Sequence, residues 1–245
     1  MNSTHHSSFS SLRHQQGLTL VEILVALVIS LFLTAGVIQL FIGTKQTYRF
    51  HDALSRLQEN GRFALDRMAW DIRMANFNMG NWTSLPPPPP NGAIFGVETT
   101  DANNYEIDSI NLAWVDGGNQ TRVYDIADLA GTPNCSAAEN SLRLNSNGSG
   151  LQQLVEGVQR MRLLYGVCAG GVVTPPYVTA GNVPAAGGWG NVCSVRIHLL
   201  LISLEDNVVT QPQTVNFPAD SATQVNCGGR CLCQAFSTTV RIRNR

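Results

Sequence analysis

Twenty consecutive residues, Ile23 to Ile42, carry no charge, and most are apolar. At 1.5 Å per residue such a helix is about 30 Å long, the thickness of a bilayer's hydrocarbon core. A polar stretch precedes it, residues 1–17, in which Arg13 is the only residue certain to be charged. The one charge close to the apolar run is Glu22, at its start. From Thr44 to about Asn76 the pattern changes without a proline. Leu54, Leu57, Gly61, Leu65, Met68, Ile72 and Ala75 recur at steps of three or four, which makes one helical stripe. Arg49, Arg56, Glu59, Arg62, Asp66, Arg67 and Asp71 fall largely off it, and Asp52–Arg56 and Arg62–Asp66 form i,i+4 pairs of opposite charge. One continuous helix from about Leu18 to Asn76, roughly 90 Å long, is predicted. Gly36 and Gly43 are its weakest points.

Beyond Asn76 the helix signal stops. Pro86 to Pro90 form an unbroken proline run, read as a stiff extended surface loop. After Asn91 the period becomes two. Strands are expected at Ala93–Thr99, Ser109–Val115, Thr121–Ile126, Ser141–Leu144, Val192–Ser203 and Ala235–Ile242. Asn- and Gly-rich loops, among them Asn145–Gly150 and Gly166–Gly190, separate them. Residues 151–165 fit a helix or a pair of strands equally well. The fold class is α+β: a long N-terminal helix whose upper half packs against an antiparallel sheet. Four segments follow: residues 1–17, an apolar helix 18–43, an amphipathic spine 44–76 and a β-rich head 77–245.

Composition places that head outside the cytoplasm. Charged residues are 13% of the chain, about half the share usual in soluble domains. Sixteen Lys+Arg against 17 Asp+Glu leave a net charge of −1, which offers no global field to attract nucleic acid. Cys135, Cys168, Cys193, Cys227, Cys231 and Cys233 all lie in the C-terminal half. Zinc ligation at Cys227–Cys233 is weakened by the lack of a second pair or a neighbouring histidine. Disulfides in an oxidising compartment explain the even count better. Six cysteines allow on the order of fifteen pairings. Cys168–Cys193, flanking a long loop, is the favoured one, with the rest stapling the C-terminal end.

Catalytic motifs are not evident. Gly-x-Ser-x-Gly, a phosphate-binding loop and His-Glu-x-x-His do not occur. His198, alone among the histidines, falls in the head, in an apolar strand, and reads as a satisfied sheet residue. Asp101, Glu106 and Asp108 lack calcium-loop spacing and read as a hydrated turn. Arg241, Arg243 and Arg245 alternate along the last strand and share one side. That suits an intersubunit salt bridge better than a grip on nucleic acid. No cofactor, metal or catalytic residue is assigned.

The N-terminus carries the functional reading. A secretory signal cut near Gly36 would place a carboxylate inside its apolar region, at a cost of several kcal/mol. A plain anchor leaves Gly17 and Glu22 without a role. Gly17-Leu-Thr-Leu-Val-Glu22 resembles the prepilin processing motif of type IV pilins and type II secretion pseudopilins, with Leu18 where Phe is commoner. The resemblance implies cleavage after Gly17 by the prepilin peptidase and N-methylation of Leu18. Glu22 then acts in assembly: buried among packed helices it needs a cation, and the freed Leu18 amine supplies one. Leu54 to Met68, Leu154-Val-Glu-Gly-Val-Gln159 and Phe236 to Arg245 are similar to PilW-type minor pilins. That similarity implies a single-pass inner-membrane subunit with its head in the periplasm, later part of the pilus fibre. It implies a role in initiating assembly, in a tip complex with other minor pilins, the major pilin and a tip adhesin. The rivals are a secretion pseudopilin, a DNA-binding uptake pilin and, last, an anchored enzyme.

Overall fold

The computed structural model describes residues 17–81, 93–100, 106–127, 135, 141–173 and 176–244. The proline run 86–90 and residues 101–105 therefore lie outside the described residues. α1 is one unbroken α-helix, Leu20–Met74, of 55 residues. It starts two residues later than predicted. It passes through Gly36 and Gly43, where a side chain would meet open space. The helix stops where the chain turns through Asn76 (φ 66°) and Asn78 (φ 55°), left-handed positions that asparagine tolerates. The stop is clamped. Asn76 Nδ2 donates to the Asn244 carbonyl (2.8 Å), and Asn244 Nδ2 donates to the Arg73 carbonyl (2.9 Å). A 3₁₀ turn, Met79–Asn81, follows.

The chain divides between Thr47 and Tyr48 into two compact units. In the first, every large apolar side chain from Leu18 to Ile42 is exposed. The second unit is the head together with α1 from Tyr48 onward. There the predicted stripe is the packed face. Leu57, Gly61, Met68, Ile72 and Ala75 are buried, with Leu54 and Leu65 half-buried beside them. Truncating a fully buried residue such as Met68 or Ile72 to alanine costs about 2–5 kcal/mol.

Two antiparallel sheets complete the head. The first orders β1 (Ile94–Val97), β2 (Ser109–Val115), β3 (Asn119–Ile126), β4 (Ser141–Ser146) and β5 (Leu151–Glu156) as a meander. The second contains β6 (Val158–Ala169), β7 (Val172–Val173), β8 (Val192–Ile202) and β11 (Cys233–Arg241), in the order β11-β8-β6-β7. A short helix α2 (Val183–Ala186) and a small β9–β10 hairpin (Thr214–Asn216, Gln224–Asn226) lie in the connections. On β8, Val195, Ile197, Leu199 and Leu201 join the main core. Leu200 and Ile202 join a second core with Phe217, Val225 and the C-terminal cysteines. That two-faced burial explains why β8 reads as a continuous apolar run.

Residues 151–165 are two strands, not a helix. The break between β5 and β6 is Gly157 (φ +79°), where a Cβ would lie 2.6 Å from the Ile202 carbonyl oxygen. Only glycine fits both the dihedral and the space. The chain from Gly166 is likewise more ordered than a loop, since β6 continues to Ala169. β11 ends at Arg241. The predicted alternation of three arginines along one strand therefore does not occur: Arg243 follows the strand, and Arg245 is outside the described residues. All six cysteines are joined, as Cys168–Cys193, Cys135–Cys231 and Cys227–Cys233. Cys135–Cys231 closes the longest loop, 96 residues, for which chain entropy alone gives a stabilisation of about 4–5 kcal/mol.

Candidate functional site

Gly17, Leu18 and Thr19 precede α1. Thr19 Oγ1 accepts a hydrogen bond from the Glu22 backbone N–H (3.3 Å). Thr19-x-x-Glu22 thus has the sequence of a capping box, in which hydroxyl and carboxylate satisfy free N–H groups of the first turn. Glu22 also sits at the positive end of the helix dipole. The Thr-x-x-Glu spacing is itself a sequence signal of this cap. Among the described residues no cation pairs with Glu22.

Above Glu22 the helix is dressed for an apolar medium. Ser30 Oγ donates to the Leu27 carbonyl (2.8 Å), Thr34 Oγ1 to Ser30 (2.7 Å) and Thr44 Oγ1 to Leu40 (2.8 Å). Each hydroxyl satisfies itself on its own helix, so none needs water. The helix is long and apolar enough to cross a membrane.

Several buried polar residues of the head are paired within it. Asp71, read as off the stripe, is fully buried. It accepts a hydrogen bond from Tyr124 Oη and faces Arg67 at 3.5 Å. Burial raises the Asp71 carboxyl above its ordinary pKa and pushes the Tyr124 phenol up as well. Arg67 thereby takes the i,i+4 partner on this turn. Among the described residues Arg62 and Asp66 form no ion pair, whereas Asp52 and Arg56 do, at 3.1 Å.

Asp108 is not part of a hydrated turn. It is 1% exposed and accepts hydrogen bonds from the Leu163 and Thr99 N–H groups (2.8 and 3.3 Å), with Arg162 at 3.6 Å. Arg162 also binds Glu98 (2.8 Å), and Arg160 binds Glu106 (3.2 Å). These pairs tie the β1–β2 segment to β6. Burial lifts Asp108 to a pKa of about 6, against the opposing pull of those N–H donors and Arg162.

His198 is buried, yet neither ring nitrogen has a hydrogen-bond partner, which corrects the expectation of a satisfied sheet residue. Its Nε2 lies 3.6 Å from Asp220, which Arg196 holds at 2.6 Å. Burial lowers the His198 pKa. Cys135, Cys231 and Asp206 cluster within 4.8 Å, but the two sulfurs are bonded to each other and offer no thiolate for a metal.

A helix segment apolar on every side, long enough to cross a membrane, and a disulfide-bonded β head are the features of a membrane-anchored subunit. A family model described as Type IV Pilus-assembly protein W matches residues 123–244. The prokaryotic N-terminal methylation motif matches residues 12–38. The chain is 30% identical over 240 residues to the pilin-like protein PilA3 of Thermus thermophilus, covering 94% of this chain and 97% of that protein. No solved structure matches. The chain belongs to the type IV pilins, among the PilW-type minor pilins. It is thus a member of a structural, membrane-anchored family whose subunits associate with other pilus components.

Proposed function

We propose that this chain is a minor pilin that helps to initiate type IV pilus assembly, in a tip or priming complex with other minor pilins, the major pilin and a tip adhesin. The observation that carries the reading is a helix exposed on all sides, with a methylation motif and a single carboxylate at its mouth. Such a helix is stable only in lipid or among other apolar helices.

The prepilin peptidase cuts after Gly17 on the cytoplasmic side. The Gly17–Leu18 bond lies before the first helical residue, so no helix has to unwind for the cut. The same enzyme system methylates the new Leu18 amine. While the subunit waits in the inner membrane, Glu22 stays near the aqueous boundary and the head folds in the periplasm, where its disulfides form. In the fibre, water leaves and Glu22 pairs with a Leu18 ammonium, its own at i−4 or a neighbour's. The work is structural throughout: no catalysis and no direct nucleic-acid binding are assigned to the chain.

Glu22→Ala tests this. Membrane insertion stays intact while incorporation into pili is impaired; normal incorporation of the variant refutes the assembly role. Deletion of the chain removes surface pili under this reading, whereas loss of exoprotein secretion instead would make it a secretion pseudopilin.

A further inference from the structure

The two ends of β8 present opposite and complementary surfaces. At its C-terminal end, a cleft of about 360 Å³ opens between α1 and the Ile202–Glu205 segment. Leu57, Ile202 and Leu204 give it part-apolar walls, shared with Arg56, Asn60 and Ser203, and Glu59 and Glu156 also line it. Both glutamates are exposed, and among the described residues neither has a cationic partner. Two further acids of the cleft are already paired, Asp52 with Arg56 and Glu205 with Arg49.

At the N-terminal end of β8 the signs reverse. The tight β6–β7 turn at Gly170–Gly171 lifts Val172 into solvent, 72% exposed. Arg241 Nη2 donates to the Gly171 carbonyl (3.0 Å), which fixes a guanidinium beside this valine. Arg243 lines the adjoining surface with Gly171 and Arg241. Among the described residues no carboxylate pairs with either arginine. Ser194, beside Arg241, and Ile202, at the cleft, are eight residues apart on one strand, or about 26 Å.

We propose that these surfaces form a head-to-tail interface between two copies of this chain: Val172 of one head enters the cleft of the next, and Arg241 and Arg243 meet Glu59 and Glu156. An apolar knob flanked by two arginines without a carboxylate partner suits a part-apolar cleft whose lining is net acidic, four carboxylates against Arg56, and whose Glu59 and Glu156 have no cationic partner among the described residues. Because the surfaces lie at opposite ends of one strand, neither can satisfy the other within a head. A contact of that kind is heterologous and grows along the strand axis rather than closing on itself. It gives a use to the terminal arginines that the helix-based account of assembly leaves idle. The proposal builds on the reading of the chain as a fibre subunit, but it is read on purified protein.

Lys45 is the chain's only lysine, so Arg243→Lys adds one amine at a known place. The full-length variant, in detergent at low salt, is treated with a zero-length carbodiimide, and the products are mapped by mass spectrometry. The expected product joins position 243 of one copy to Glu59 or Glu156 of another, and high salt suppresses it. Adding Val172→Asp lowers its yield about tenfold or more, since the knob's burial is lost. Absence of that product, its formation with other carboxylates only, or indifference to Val172→Asp overturns the interface. Duplex DNA that shields position 243 while no such product forms would assign the basic end to nucleic acid and likewise overturn it. A correctly processed N-terminus without the cross-link faults the interface alone, whereas the cross-link in an unprocessed chain faults the pilus reading.

Discussion

Gly61→Ala should destabilise the head, against the usual sign for such a change. In an exposed helix interior, Gly to Ala adds about 1 kcal/mol of stability. Here the Cβ would lie 2.7–2.8 Å from three atoms at the tip of the Phe236 ring. Carbon atoms settle at about 3.5–4.0 Å, so the ring must retreat by most of an ångström. Phe236 is held on β11, its residue opposite Leu199 of β8, and packs against the core. Overpacking of this kind costs about 1–3 kcal/mol. Set against the helix gain, the net loss is about 1 kcal/mol, up to 2. For a protein of this size that lowers Tm by about 2–8 °C. Circular dichroism melts of the full chain in detergent, disulfides intact, measure it. Phe236→Leu shortens the ring away, so in that background Gly61→Ala should become neutral or stabilising, with a coupling of about 1 kcal/mol or more. An unchanged or higher Tm for Gly61→Ala alone would show that α1 does not pack on β11 through this glycine.

Other outcomes follow from the buried polar groups. Because burial raises Asp108 from 3.8 to about 6, the folded state binds the extra proton between those values. Stability from this residue is full below about pH 4 and is lost as pH rises through 6, by up to about 3 kcal/mol. Urea midpoints should show that fall relative to Asp108→Asn, and a difference that grows with pH would refute it. Tyr124→Phe removes the hydroxyl donor of fully buried Asp71, at a cost of about 1–3 kcal/mol in Tm-derived stability. Adding Asp71→Asn should cost less than the two single changes summed, and strict additivity would show that the pair does not interact.

Periodicity made the long helix and most of the longer strands of the head legible, because burial repeats at 3.6 or 2 residues wherever one face is packed, whereas α2 and the short strands β7, β9 and β10 are too brief to show a period. β2 coincides with its expected span, and the spine stripe is the buried face. What was not legible depended on contacts distant in sequence. Asp71 looked like a surface charge because its partner, Tyr124, is 53 residues away. Asp108 looked like a turn residue because the N–H of Leu163 that it accepts from is 55 residues on. The run 151–165 stayed ambiguous because both sides of it are packed in part, and only the positive φ at Gly157 separates its two strands. At the N-terminus the reverse holds. Gly17, Leu18 and Glu22 are recognisable by spacing, since proteolysis and capping read local sequence. The fibre role proposed for them depends on neighbouring subunits.

The central claim is that the polar leader is removed so that a new amine can meet Glu22. Intact-mass and peptide analysis of the protein purified from membranes and from pili tests it most directly. The account predicts a chain beginning at N-methylated Leu18. A functional chain that still begins at Met1, or one cut near Gly36, would contradict it.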